Sequence, residues 1–178
     1  MAALPNLMTV AQFRELPEGG EYAYELHHGE VVALTRPKIR HTKLQVRLSR
    51  LLELNLKSFG EIIIELPYCP LAEFEVRAAD VAAISRSRWD ASNPDGYLAG
   101  APDLVIEVRS PSNTRKQLQE LAALCLSNGA REFWVVDSDA RTVSVMRPEG
   151  TASVYDIGGS IPLTAFGGGD LAVDEIFG

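Results

Sequence analysis

Residues 101–112 read Ala-Pro-Asp-Leu-Val-Ile-Glu-Val-Arg-Ser-Pro-Ser, and this stretch limits the fold more tightly than any other. Pro102 and Asp103 punctuate the chain. Residues 104–108 then form an apolar run with β-branched members, which predicts a buried strand. Glu107 interrupts that run. A carboxylate inside an apolar strand is costly to desolvate unless a cation or a hydrogen-bond donor meets it. Ser110, Pro111, Ser112 and Asn113 end the strand and offer N-caps to a following helix. The unit is therefore strand, acid near its end, turn, helix. In open α/β sheets, sites form beyond the carboxyl ends of the strands.

The flanking sequence supplies more strands and two helices. Thr9 and Gln12 form a capping box before a short amphipathic helix over 10–16. Two β-rich runs within 22–34 flank His27-His28-Gly29, which predicts a hairpin with Gly29 supplying a positive φ and both histidines facing solvent. A helix follows over 41–58. Leu44, Leu48, Leu51, Leu52 and Leu56 share its apolar stripe, and His41 projects toward that side near the helix start. Residues 61–66 and 73–84 read as strands, the first interrupted by Pro67 and Pro70. Residues 85–100 are polar, with a turn signal at 93–96 and no long helix. A helix is expected over 113–128, a strand over 132–136 and its hairpin partner over 142–146. Residues 154–157 add a further strand, and 171–177 pack back onto the body. Phe133 and Trp134 read as core or dimer contacts.

Length bounds the architecture to a single domain over residues 1–178, and no segment has the run of about 18 apolar residues that a membrane helix needs. The N-terminus lacks the charged-then-apolar pattern of a secretion signal. Cys69 and Cys125, far apart and without Cys-x-x-Cys spacing, read as reduced structural thiols of a cytoplasmic protein. The net charge of −7 argues against nucleic-acid binding by bulk attraction, though not by a local patch. One such patch is available. Arg36, Lys38, Arg40, Lys43, Arg47 and Arg50 cluster on and before the 41–58 helix. They read either as a phosphate-contacting surface, with Lys43, Arg47 and Arg50 as the nucleic-acid-binding residues, or as a solvated helix face.

Asp80 repeats the pattern of Glu107, an acid on an apolar strand. Two such acids on adjacent strands repel unless a divalent cation lies between them. Magnesium, or manganese, prefers carboxylate oxygens and suits phosphate chemistry. The competing reading pairs each acid with an arginine, Arg77 or Arg109.

The order of these pieces resembles the PD-(D/E)XK nuclease superfamily and, more narrowly, the Uma-type bacterial family of restriction endonucleases. The matching segments are Tyr24-Glu-Leu-His-His-Gly-Glu30, His41 at a helix start, Asp80-Val81, residues 101–112 and Glu132-Phe-Trp-Val-Val-Asp137. The resemblance implies an α/β restriction-endonuclease-like core, a central mixed sheet flanked by helices with an N-terminal β-hairpin. It implies a divalent-metal-dependent endonuclease acting on DNA, often as a homodimer. By position, Asp80 and Glu107 are the two motif acids, and Glu25 or Glu30 on the hairpin completes the metal's other side. His41 matches a recurrent histidine. Two positions depart from the pattern. Arg109 stands where the superfamily has a lysine two residues after the second acid, and arginine cannot serve as a base. On the next helix, Gln117 and Leu121 replace an aspartate and a lysine. A nuclease fold without catalysis, used to bind nucleic acid or protein, is the alternative these departures favour; an assembly subunit is a third.

Overall fold

The computed structural model describes residues 7–17, 23–34, 37–110 and 113–178. The elements follow in order as α1 (Val10–Arg14), β1 (Ala23–His27), β2 (Glu30–Leu34), α2 (Ile39–Asn55), β3 (Gly60–Cys69), β4 (Arg77–Ser85), α3 (Arg86–Asp90) and β5 (Leu98–Ala99). The second half holds β6 (Leu104–Val108), α4 (Arg115–Ser127), β7 (Glu132–Asp137), β8 (Thr142–Met146), β9 (Ala152–Tyr155), β10 (Ser160–Pro162), β11 (Asp170–Ala172) and α5 (Val173–Phe177). Arg36, Pro111 and Ser112, expected to form part of a basic surface and a turn, lie outside the described residues.

Seven strands build the central mixed sheet in the order β5-β3-β4-β6-β7-β8-β9. The β6–β7 pair is parallel and is connected through α4, as a parallel pair requires a crossover. Helix α2 covers one face. Leu44, Leu48 and Leu52 join Val81, Ala83, Leu104, Ile106 and Trp134 in the larger core. Helix α4 covers the other face, where Ala122 and Cys125 meet Ala82, Val105 and Phe133. Phe133 and Trp134 are fully buried core residues, and the Trp134 indole N–H donates to Glu132 Oε2 at 2.8 Å. Both cysteines are free and buried, and no described helix is long and apolar enough to cross a membrane.

Several boundaries differ from the sequence reading. β3 runs straight through Pro67. That residue pairs with Ala78, whose N–H turns away from β3 to Glu25, and β5 covers only Tyr68 and Cys69. Pro67 therefore has no ladder bond to lose. Residues 73–76 do not extend β4. They clasp the hairpin instead, through Gly29 N–H to Phe74 and a bridge between Leu26 and Val76. The hairpin turn needs positive φ at both central residues, His28 (49°) and Gly29 (81°). α2 begins at Ile39 and ends at Asn55, so Lys57 falls beyond it. Residues 86–90 form a short helix, and β10, β11 and α5 build the returning tail with Leu171, Val173 and Ile176 buried.

Candidate metal centre

The apolar stripe of α2 changes character at its N-terminal end. His41, Gln45, Leu48 and Leu52 follow one another at helical spacing on one face. The two leucines enter the core, while His41 and Gln45 reach Asp80 on the interior strand β4. His41 Nε2 lies 2.8 Å from Asp80 Oδ1, and the Gln45 amide donates to the same oxygen at 2.9 Å. The amide also donates to Glu65 Oε1 through a short contact. Gln45 is only 2% exposed, so its donors have carboxylates rather than water as partners.

Glu65 reaches this point through an unusual backbone. Its φ is +55°, in the left-handed region, and it drops out of the β3–β4 ladder between the pairs Ile64–Val81 and Leu66–Ala79. Such a conformation is strained for a non-glycine residue and clusters at functional sites. The donor atoms of His41, Glu65 and Asp80 lie within 4.8 Å of one another. One imidazole nitrogen and two carboxylates at that spacing fit a divalent cation.

The other oxygen of Asp80 holds the sheet open. The β4–β6 ladder ends at the pair Val81–Ile106, and the Val108 N–H donates to Asp80 Oδ2 at 2.7 Å. Glu107 lies one step past that last pair. Among the described residues its carboxylate has neither a hydrogen-bond partner nor an ion pair. Burial pushes its pKa well above the carboxylate range, and the charges of Asp80, Glu25 and Glu65 push it the same way, with Arg77 opposing. The His41 pKa is raised chiefly by its hydrogen bond to Asp80, against the opposing effect of burial. Glu65 is raised mainly by desolvation, which the Gln45 hydrogen bond offsets in part. The centre thus gathers more negative charge than its protein partners neutralise.

Buried acids elsewhere are paired. Asp103 meets Arg88 and Arg131, Glu132 meets Arg147, and Glu75 meets Arg77 and His28. Among the described residues, neither Asp80 nor Glu107 pairs with an arginine, contrary to the arginine-pairing alternative. Arg77 is held by Glu75 and lies 3.8 Å from Glu25, and Arg109 Nη1 lies 2.5 Å from Asp137 Oδ2. The turn bond from Ala140, most of all, holds the Asp137 pKa below its ordinary value, with Arg109 and the Asp139 bond acting the same way.

Of the remaining expected residues, Glu25 lies near the centre and the others are dispersed. Glu25 Oε1 accepts from Ala78 N–H at 2.9 Å, and its Oε2 lies 2.6 Å from His27 Nε2. His28 faces solvent as expected, with its Nδ1 2.6 Å from buried Glu75, whereas His27 is half-buried against Glu25. Glu30 is exposed on β2. Gln117 caps α4 in a box with Thr114, and Leu121 packs against the second core. Lys116 pairs with Glu120 in solvent. Lys43, Arg47 and Arg50 are spaced along α2 and line an open groove of about 660 Å³ with Ile39, Val46 and Leu51. Arg40 and Arg141 line the adjoining groove beside Ser138. Sequence reasoning missed Glu65 and Gln45. Only a polar residue between Leu44 and Leu48 signalled the second, and nothing local signalled the first.

A mixed sheet with its acids at one end and a helix on each face is the restriction-endonuclease-like arrangement. Among solved structures, the chain is similar to a putative nuclease from Anabaena variabilis, with a TM-score of 0.81 at 24% identity over 96% of this chain and 97% of that one. At that identity the likeness shows the fold. The Uma2 family profile, described as "Putative restriction endonuclease", matches residues 10–173, and the chain belongs to that family. No curated protein matches the chain.

Proposed function

We propose that this chain is a divalent-metal-dependent endonuclease that hydrolyses DNA phosphodiester bonds at the end of the sheet where β4 and β6 part. The observation that carries the reading is Glu107. It is a half-buried carboxylate, raised in pKa and without a described partner, one step beyond the last β4–β6 pair and next to Asp80. A protein retains such a group at a cost, and sites for cations are where that cost has a use.

Asp80 and Glu107 would hold the ion, with Glu65 and His41 beside them. When bound, a divalent ion activates water and stabilises the leaving oxygen of a phosphodiester. His41, Gln45 and the Val108 N–H keep the Asp80 carboxylate in one orientation. Glu25 anchors β4 through Ala78 N–H, two residues from Asp80, and so positions the centre. Lys43, Arg47 and Arg50, with Arg40 and Arg141 next to them, supply a cationic strip for the phosphate backbone in an otherwise acidic chain. Two copies related by a two-fold axis would address both strands of a duplex, which light scattering with and without DNA would test.

One observation favours a second reading. Arg109 is tied to Asp137 and Leu121 packs against the core, so neither superfamily lysine position delivers an ammonium to the acids. The fold would then bind nucleic acid without cutting it. Incubation of supercoiled, linear and single-stranded DNA with Mn2+ or Mg2+ separates the two. Nicking that Asp80→Asn abolishes supports the nuclease. Ion-independent binding without cleavage of any substrate supports the binding module.

A further inference from the structure

The donor set around Asp80 is not the all-oxygen set that magnesium prefers. Magnesium takes octahedral oxygen ligands and keeps several waters. Imidazole suits the first-row transition ions, and borderline ions gain more from nitrogen than magnesium does. Here His41 Nε2 lies among the carboxylates, with the Glu65, Asp80 and His41 donor atoms mutually within 4.8 Å. The helix frame that carries His41 is fixed, since Leu44 and Leu48 on the next turns are buried in the core. We propose that His41, Glu65 and Asp80 form an imidazole-containing position selective for a transition ion such as Mn2+ over Mg2+. The proposal rests on the nuclease reading above, which needs an ion at Asp80 but does not say which.

Gln45 has a part in this. Its amide group bridges Glu65 and Asp80 through Nε2, so without an ion it separates two carboxylates that would otherwise repel. A side-chain amide presents an oxygen and a nitrogen of nearly the same shape, and its neighbours decide which faces where. A half-turn about its terminal bond replaces the donor by Oε1. Gln45 therefore serves both states, as a donor to the acids in one and an oxygen toward a cation in the other.

Pulsed electron paramagnetic resonance of the Mn2+-loaded full chain tests the proposal, because an imidazole ligand imposes nitrogen modulation on the manganese echo. Calorimetric titration with Mn2+ and with Mg2+ gives the selectivity. The expected result is nitrogen modulation and an affinity for Mn2+ about tenfold or more above that for Mg2+, as an imidazole ligand favours. His41→Ala should remove the modulation and most of the preference while circular dichroism stays native. Glu65→Gln should weaken both ions but keep the modulation. Manganese bound through Asp80 with no nitrogen modulation, or an unchanged preference in His41→Ala, overturns the proposal and leaves the nuclease reading standing. A chain that binds neither ion, or binds both equally well as Asp80→Asn, overturns both.

Discussion

Arg109 and Asp137 are bound to each other at 2.5 Å, so the guanidinium two residues after Glu107 is held by the neighbouring strand. The guanidinium is half-exposed, and an ion pair of that kind contributes at most about 1 kcal/mol. Arg109→Ala should therefore leave the fold intact and lower DNA cleavage less than about tenfold, a change worth about 1.4 kcal/mol. The double change Arg109→Lys with Asp137→Asn frees an ammonium and should raise the single-turnover rate above that of the parent. A parent-like rate in the double variant together with loss of cleavage in Arg109→Ala would show the guanidinium itself at work.

Asp80 accepts from His41, Gln45 and Val108. Asp80→Ala strands these donors and should destabilise the protein by about 1–3 kcal/mol, since a buried donor left unsatisfied costs that much. Cleavage should vanish. Asp80→Asn keeps the size and one acceptor, so it should lose cleavage with a smaller loss of stability in a urea melt.

Glu107 and His41 make the stability of the ion-free protein fall as pH rises. Glu107 holds its proton more firmly folded than unfolded, so its contribution is complete below its ordinary value of 4.5 and is lost as pH climbs through the higher folded value. His41 has the same sign, with its contribution complete below 6.5 and lost above its raised folded pKa. Glu107→Gln should flatten the Glu107 part of the curve and raise Tm in mildly alkaline buffer. Each kcal/mol relieved is worth about 2–4 °C for a chain of this size. A Tm that is flat across this range in the parent would contradict the assignment.

Divalent ions should reverse that alkaline loss. An ion at about 100 times its Kd stabilises by about 2.7 kcal/mol, or roughly 5–10 °C in Tm. Protons compete for His41 and Glu107, so the ion-induced shift should shrink as pH falls. Chelator should return the protein to its starting Tm, and Glu107→Gln should reduce the shift.

Lys43, Arg47 and Arg50 should govern the salt dependence of DNA binding. Each phosphate that a side chain no longer neutralises lowers the slope of log K against log salt by about 0.9. Replacing all three by alanine should lower it by about 2–3, with no change in Tm beyond about 2 °C, because exposed charges contribute little to the fold. An unchanged slope would return this strip to a solvated helix face.

Local signals carried much of this architecture. The strand at 104–108 and the Thr9–Gln12 capping box follow from short-range spacing and stand where the residues place them, whereas the second helix is capped by Thr114, one residue past the expected caps. Asp80 and Glu107 were legible because a lone acid in an apolar strand is conspicuous. Glu65 was not, since its place depends on a left-handed backbone turn within β3 that no neighbouring glycine announces. Gln45 looked like any polar helix residue, because its partners lie 20 and 35 positions away. Pro67 was read as an interruption, since only the sheet order shows that its missing N–H has no ladder partner to serve.

The Val108 N–H faces β4, and a carboxylate has taken the place where a carbonyl would sit. The side chain that would grip the ion is thus also the wedge between two strands. A substitution that shortens this side chain therefore removes the ion's ligand and the acceptor of a β6 backbone donor together, and only an isosteric replacement keeps the two losses apart.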